Sequence, residues 1–209
     1  MQYPPNHHQE EGFQNIINLM QAYPLATINS CLDNEIESSH TPLIYEANDG
    51  LGLLIGHLDK FNPQLVHFKK NEKVNIIFNG PDVYISPSVY STTQLPTWNY
   101  FKAHIKGRVI LETDQEKVKQ SLINMTAFLE GDSPNYVLEA DNPRMANALD
   151  YIVGFQIIID AWEGKYKISQ DKRKEDRALA KQAMIMDAQK TKKAVDLLYS
   201  AHQTKPKQT

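Results

Sequence analysis

Apolar residues recur along this chain at two different periods, and each change of period marks a change of element. Over residues 10–23, Phe13, Ile16, Ile17 and Met20 fall at helical spacing until Pro24 ends the run, which predicts an amphipathic opening helix. Short runs rich in β-branched and aromatic residues follow at 25–29, 37–46, 51–58, 74–79, 83–90 and 98–111. Turn chemistry such as Asp33-Asn34, Asn48-Asp49-Gly50 and Gly80-Pro81-Asp82 separates them. Strands this short and this closely spaced predict an antiparallel sheet or barrel.

The period switches again near residue 113. Thr113-Asp114-Gln115-Glu116 has the form of a capping box, and Val118, Leu122, Met125 and Leu129 then lie on roughly one face of a helix closed by residues 131–134. Residues 143–150 predict a short helix with proline in its first turn. Residues 152–169 return to alternation through Phe155, Ile157 and Ile159, with a bulge or turn expected near Glu163-Gly164. From residue 172 to about 201 the chain is charged and alanine-rich without glycine or proline, which predicts helix, and residues 205–209 are expected to fray. The reading is mainly β with flanking α: a barrel domain over 1–171 and a C-terminal helical extension over 172–209.

Composition narrows the classes. A chain of 209 residues can bury ~70% of its unfolded surface, so no staple is required. Its single cysteine, Cys31, cannot form an intramolecular bridge, which fits a reducing compartment, and cytoplasm is the expected location. No basic-then-apolar leader and no run of 18 apolar residues is present, so no membrane partner is expected. A formal charge of -3 gives no global attraction to phosphate backbones. Between Lys165 and Arg177, six basic and three acidic residues give a local excess of three, which leaves contact with DNA possible there. The seven histidines show no metal-ligand spacing, and there is no Gly-rich phosphate loop or helix-turn-helix signature.

The densest chemistry lies in GPDVYISPSVYSTTQLPTWNYFKAHIKG, residues 80–107. At a period of two, Val83, Ile85 and Pro87 share one face, and Tyr84, Ser86 and Ser88 the other. Thr97, Trp98, Asn99 and Tyr100 then bring aromatic rings, a hydroxyl and an amide together. That is either ordinary aromatic packing with satisfied polar tips or the wall of a site for a polar ring system.

FNGPDVYISPSVY followed by LPTWNYFKAHIKG resembles the signature of the PaiB-type family of flavin-mononucleotide-binding split barrels, described as negative transcriptional regulators. SSHTPLIYE, GHLDKFNPQ and VGFQIIIDAWEGKYKISQDKR resemble further family segments in the same order, as far as Arg173. Asp82, Val89 and Leu65 stand where the family pattern has histidine, tryptophan and tryptophan. The resemblance implies an antiparallel split barrel, FMN as cofactor, and a homodimer with sites at the subunit interface. Two functions stay open: a ligand-responsive negative regulator, or an oxidoreductase of the flavin reductase or pyridoxamine-phosphate oxidase type.

FMN presents a phosphate dianion, a polyhydroxyl chain and a flat ring, and the matched motifs divide accordingly. His57, Lys60 and Asn62, before the helix that begins near PQLVHFKK, are expected at the phosphate. Ser86 and Ser88 suit the polyhydroxyl chain or ring edge, and Thr97, Trp98, Asn99 and Tyr100 suit the ring. His40 and Pro42 lie in the other matching strand. Lys167, Gln170 and Arg173 are expected to close a site from the partner chain.

Overall fold

A computed structural model of the chain describes residues 4–70 and 72–187. The helix and frayed tail expected beyond residue 187 lie outside the described residues. The elements are β1 (Gln9–Glu10), α1 (Phe13–Ala22), β2 (Leu25–Leu32), β3 (Glu35–Pro42), β4 (Ile44–Glu46), β5 (Leu53–Asp59), α2 (Gln64–Lys70), β6 (Lys73–Ile85), β7 (Thr97–Glu112), α3 (Gln115–Glu130), α4 (Met145–Leu149), β8 (Ile152–Lys167) and α5 (Lys174–Met186). The described residues form two compact units: a larger one from Glu10–Gly80 and Lys102–Gly164, and a smaller one from residues 4–9, Pro81–Phe101 and residues 165–187.

In the larger unit the strands pair in the order β3-β2-β6-β7-β8-β5-β4, an open path in which β2 runs antiparallel to β3 and β6, and β5 antiparallel to β4 and β8. The β2–β3 hairpin turns on Asp33 and Asn34, both at positive φ (50° and 67°), as a two-residue turn matched to strand twist requires. Near the open edges, Thr41 Oγ1 of β3 donates to the His57 carbonyl of β5 at 2.9 Å, so a side chain bridges where no ladder closes the barrel. This is the split antiparallel barrel expected from the sequence.

Its interior follows from the alternation. Ala26, Ile28, Ile76, Phe78, Ile105, Phe155 and Ile157 are buried, and α1 covers the sheet with Ile16 and Met20. Gly164 permits close approach of α1, since a Cβ there would meet Ile16 Cδ1 at 2.6 Å and Glu10 Cβ at 2.8 Å. Leu65, one of the departures from the family pattern, is buried on α2 within this core.

Three local expectations are corrected. Asp114, rather than Thr113, caps α3: its Oδ1 accepts from the Glu116 and Lys117 amides at 3.0 and 3.5 Å. Gly80-Pro81-Asp82 does not end a strand, because β6 runs through it to Ile85. Two consecutive exposed residues, Pro81 and Asp82, shift which positions face inward, as an extra residue in a strand does. In β8 the inward alternation breaks at Asp160 and Ala161, before the expected Glu163-Gly164.

Candidate functional site

The smaller unit is built around two buried polar knots. Tyr90, Ser169 and Asn99 are all buried, and their side chains meet: Tyr90 Oη lies 2.8 Å from Ser169 Oγ, and the Asn99 amide contacts the same oxygen at 3.0 Å through Nδ2 and 3.1 Å through Oδ1. A serine hydroxyl has one hydrogen. Given to Asn99 Oδ1, it leaves Ser169 Oγ to accept from Tyr90 and from Asn99 Nδ2, and every member is satisfied. Ser169 sits at φ 60°, in the left-handed region that non-glycine residues rarely adopt. Gln170 brackets this kink, accepting from the Ile168 amide at 2.8 Å and donating to the Tyr166 carbonyl.

The second knot is Asp176 of α5, which is fully buried. Its carboxylate accepts from Thr92 Oγ1 at 2.7 Å and from the Ser91 amide and Oγ at 2.6 and 2.8 Å. The Thr92 and Ser91 donors hold its carboxyl below the usual carboxylate range. Beside it Val83, Ile85, Tyr90 and Ala180 form a small apolar core, against which Val89, another departure from the family pattern, also packs.

Against the first knot, with Asn99 and Ser169 in its wall, opens a cleft of about 270 Å³. Lys167 reaches into it and donates to Thr97 Oγ1 at 2.5 Å, and Lys172, also in the wall, pairs with Asp171 at 2.8 Å. Asn99 and Gln94 add amides, Leu95 and Pro96 add apolar surface, and His8 lines the same cleft. Burial, followed by the neighbouring charges of His7 and Lys167, lowers the His8 pKa and favours the neutral imidazole. The set offers ammonium groups for an anion, hydroxyl and amide groups for a polar chain, and an apolar edge.

Of the residues singled out from sequence, Thr97, Asn99 and Lys167 line this cleft, and Gln170 braces the kink at its rim. Trp98 is half exposed, its ring edge-on to Tyr84 at 6.2 Å, and Tyr100 lies beneath Lys165 Nζ at 5.6 Å. Ser86 and Ser88 bond to each other at 2.8 Å around the 3-10 turn Pro87–Val89, and Arg173 is exposed at the start of α5.

The remaining five lie in the larger unit. His57 Nε2 meets Ser121 Oγ at 2.7 Å. That hydroxyl gives its proton to the Val118 carbonyl at 2.8 Å, so the imidazole must donate. Burial lowers the His57 pKa to about 4, so the ring is neutral at physiological pH. Lys60 Nζ donates to the Asp150 carbonyl at 2.6 Å and lies 4.3 Å above the Tyr151 ring. Asn62 Oδ1 accepts from the Gln64 amide at 2.9 Å, and its Nδ2 donates to Ser39 at 2.9 Å. His40 Nδ1 pairs with Thr27 Oγ1 at 3.0 Å, and Pro42 ends β3 opposite Leu25.

Sequence reasoning passed over His8, Gln94 and Asp176. Nothing local marks them. His8 precedes the first long element, Gln94 sits in a loop of small polar residues, and Asp176 reads as one more charge on an exposed helix.

Comparison with known proteins places the chain. Residues 2–161 match the family described as "Putative FMN-binding domain". The chain belongs to this FMN-binding family. Membership gives its cofactor as FMN. Within curated relatives, it is 30% identical over 176 residues to the protease synthase and sporulation protein PAI 2 of Bacillus subtilis, covering 83% of this chain and 84% of that one, which makes it a PaiB-type member. The family's fold also appears in solved structures. The FAD and heme binding protein of Mycobacterium smegmatis matches with TM-score 0.61 at 17% identity, over 82% of this chain and 79% of that one. The flavocytochrome Anf3 of Azotobacter vinelandii matches with TM-score 0.58 at 14% identity, over 81% and 74%. Among the described residues, no helix is long and apolar enough to cross a membrane.

Proposed function

We propose that this FMN-binding protein is a homodimer that holds its flavin in the cleft of the smaller unit and acts as a ligand-responsive negative regulator of transcription. The observation that carries the proposal is the convergence of Lys167, Thr97, Asn99 and Lys172 on one cleft. The donor set fits FMN: the Lys167 ammonium answers the phosphate, with Lys172 beside it held by its Asp171 partner, the hydroxyl and amides answer the polyhydroxyl chain, and Leu95 and Pro96 offer apolar contact to a flat ring. When bound, FMN would supply redox chemistry and a ring whose charge changes with its redox state. The chain's own residues bind and orient it. Lys167 carries the central charge, fixed by Thr97, while the Tyr90–Ser169–Asn99 knot holds the wall.

Volume supports the dimer. A cleft of about 270 Å³ lies below the ~300–1,000 Å³ of ligand pockets, so a second chain would supply the rest of the enclosure. An isologous pair would form two equal sites by symmetry. The regulatory role draws on the name of the Bacillus relative, which refers to protease synthesis and sporulation, and on the exposed basic start of α5 at Arg173 and Lys174.

The test begins with FMN titration of the purified protein. Quenching of flavin fluorescence is expected, together with sedimentation at twice the 23.9 kDa chain mass. Duplex DNA from upstream of its own gene should be retained at low salt and released when Arg173 and Lys174 become alanine. Unquenched flavin, a monomer, or DNA retention indifferent to both substitutions would each remove the corresponding part.

A further inference from the structure

The smaller unit contains a hydrogen-bond relay that ends in the cleft wall. Gln94 Nε2 donates to Thr92 Oγ1 at 2.9 Å, and Thr92 Oγ1 donates to Asp176 Oδ2 at 2.7 Å. The direction is fixed by the far end: an ionised carboxylate only accepts, so the Thr92 proton points at Asp176 and its lone pairs face Gln94. The carboxylate is ionised because Thr92 and Ser91 hold its proton affinity down. A buried anion with three donors and no solvent exposure is a fixed point. It anchors the loop between β6 and β7 to α5, whose Ala180 packs on Val83, Ile85 and Tyr90.

The other end of the relay faces the cleft. Gln94 lines it, and a carboxamide has two N–H donors and one carbonyl. With one N–H given to Thr92, an N–H and a carbonyl remain. We propose that Asp176 and Thr92 are positioning residues for the flavin site, orienting the Gln94 amide so that its remaining N–H and carbonyl read a polar edge of the flavin. The inference rests on the cleft being the flavin site, as proposed above. The geometry also gives the relay a direction of influence. Any change that frees Asp176 from the loop releases Gln94, so the seating of α5 and the affinity for flavin are coupled through these three side chains.

The experiment is FMN titration by fluorescence quenching on the full chain, with thermal melting as the folding control. Thr92→Val keeps the shape of the side chain and removes both of its hydrogen bonds, and Asp176→Asn removes the charge that orders them. Each is expected to weaken FMN about tenfold, the scale of one ligand hydrogen bond lost or misdirected. Thr92→Ser restores the hydroxyl and should bind as the unaltered protein does, whereas a role for Thr92 in packing alone, which Thr92→Val preserves, predicts full affinity in Thr92→Val. Because the relay acts through Gln94, Thr92→Val combined with Gln94→Ala should bind no more weakly than Gln94→Ala alone. Unaltered affinity in Thr92→Val, or losses that add in the double variant, would overturn the relay. Lys167→Ala separates the two claims. If it weakens FMN while Thr92→Val does not, the relay alone fails; if it leaves affinity intact, the cleft reading fails and the relay with it. Should Asp176→Asn not fold, the threonine pair still decides.

Discussion

The two units of this chain handle buried polar groups in opposite ways. In the barrel unit, each polar side chain picked out by sequence has a partner within the unit: His57 has Ser121, Lys60 the Asp150 carbonyl and Tyr151 ring, Asn62 the Gln64 amide and Ser39, and His40 has Thr27. In the smaller unit, buried Asn99 and Ser169 form part of the wall of a cleft that Lys167 and Gln94 also line, and buried Asp176 ties down the loop that carries Gln94. Polar chemistry in the first unit closes edges and caps a helix. In the second it holds together the wall of a concave surface. The same residue types thus brace a barrel in one unit and wall a cleft in the other, and the proposed flavin site is the second.

That contrast can be broken or sharpened by substitution. Phe155 is buried in the barrel, packed edge-on to Phe68 at 5.5 Å and against Gly56. Phe155→Ala should destabilise the barrel by ~3–5 kcal/mol, read as an earlier denaturant midpoint with an unchanged slope.

Next in size is the acid sensitivity contributed by His57. Its folded pKa of about 4 lies below the ordinary 6.5, so between those values the unfolded chain binds a proton that the native one refuses. Stability from this group is full above pH 6.5 and falls as pH drops toward 4, by roughly 3 kcal/mol in all. His57→Gln should flatten that part of the stability-versus-pH curve; an unchanged curve would show that the ring is not held neutral.

Tyr90→Phe removes one donor from the Ser169 knot and should cost ~1 kcal/mol, seen as a lower melting temperature with faster amide exchange around Ser169. The smallest effect belongs to Arg108, which forks onto Asp160 at 2.9–3.1 Å on the exposed surface. Arg108→Ala should leave the melting temperature at physiological salt essentially unmoved, because solvent and ions screen such a pair.

Most of the barrel was legible because burial writes itself into the period of the sequence. Phe155, Ile157 and Ile159 announce a strand, and Ile16 and Met20 a helix face. Asp33-Asn34 marks its turn because few residues accept positive φ in succession. Gly80-Pro81-Asp82 misled for a physical reason: the same residues that make turns also make the extra step by which a strand changes the face it buries. The candidate cleft was legible only in part. Thr97, Asn99 and Lys167 stood out through their motif, whereas Gln94 and Asp176 draw their roles from partners far along the chain. His57 and Lys60 carried site-like chemistry in the sequence, and the structure adds their partners, the Ser121 hydroxyl and the Asp150 carbonyl.

The most direct test of the account is the FMN affinity of Lys167→Ala set beside that of His57→Gln, each measured by fluorescence quenching at pH 7.5. The account predicts that Lys167→Ala weakens FMN by about tenfold or more, as loss of a charge-assisted contact to phosphate should, while His57→Gln binds as tightly as the unaltered chain. Full affinity in Lys167→Ala with a loss in His57→Gln would move the flavin out of the smaller unit and contradict it.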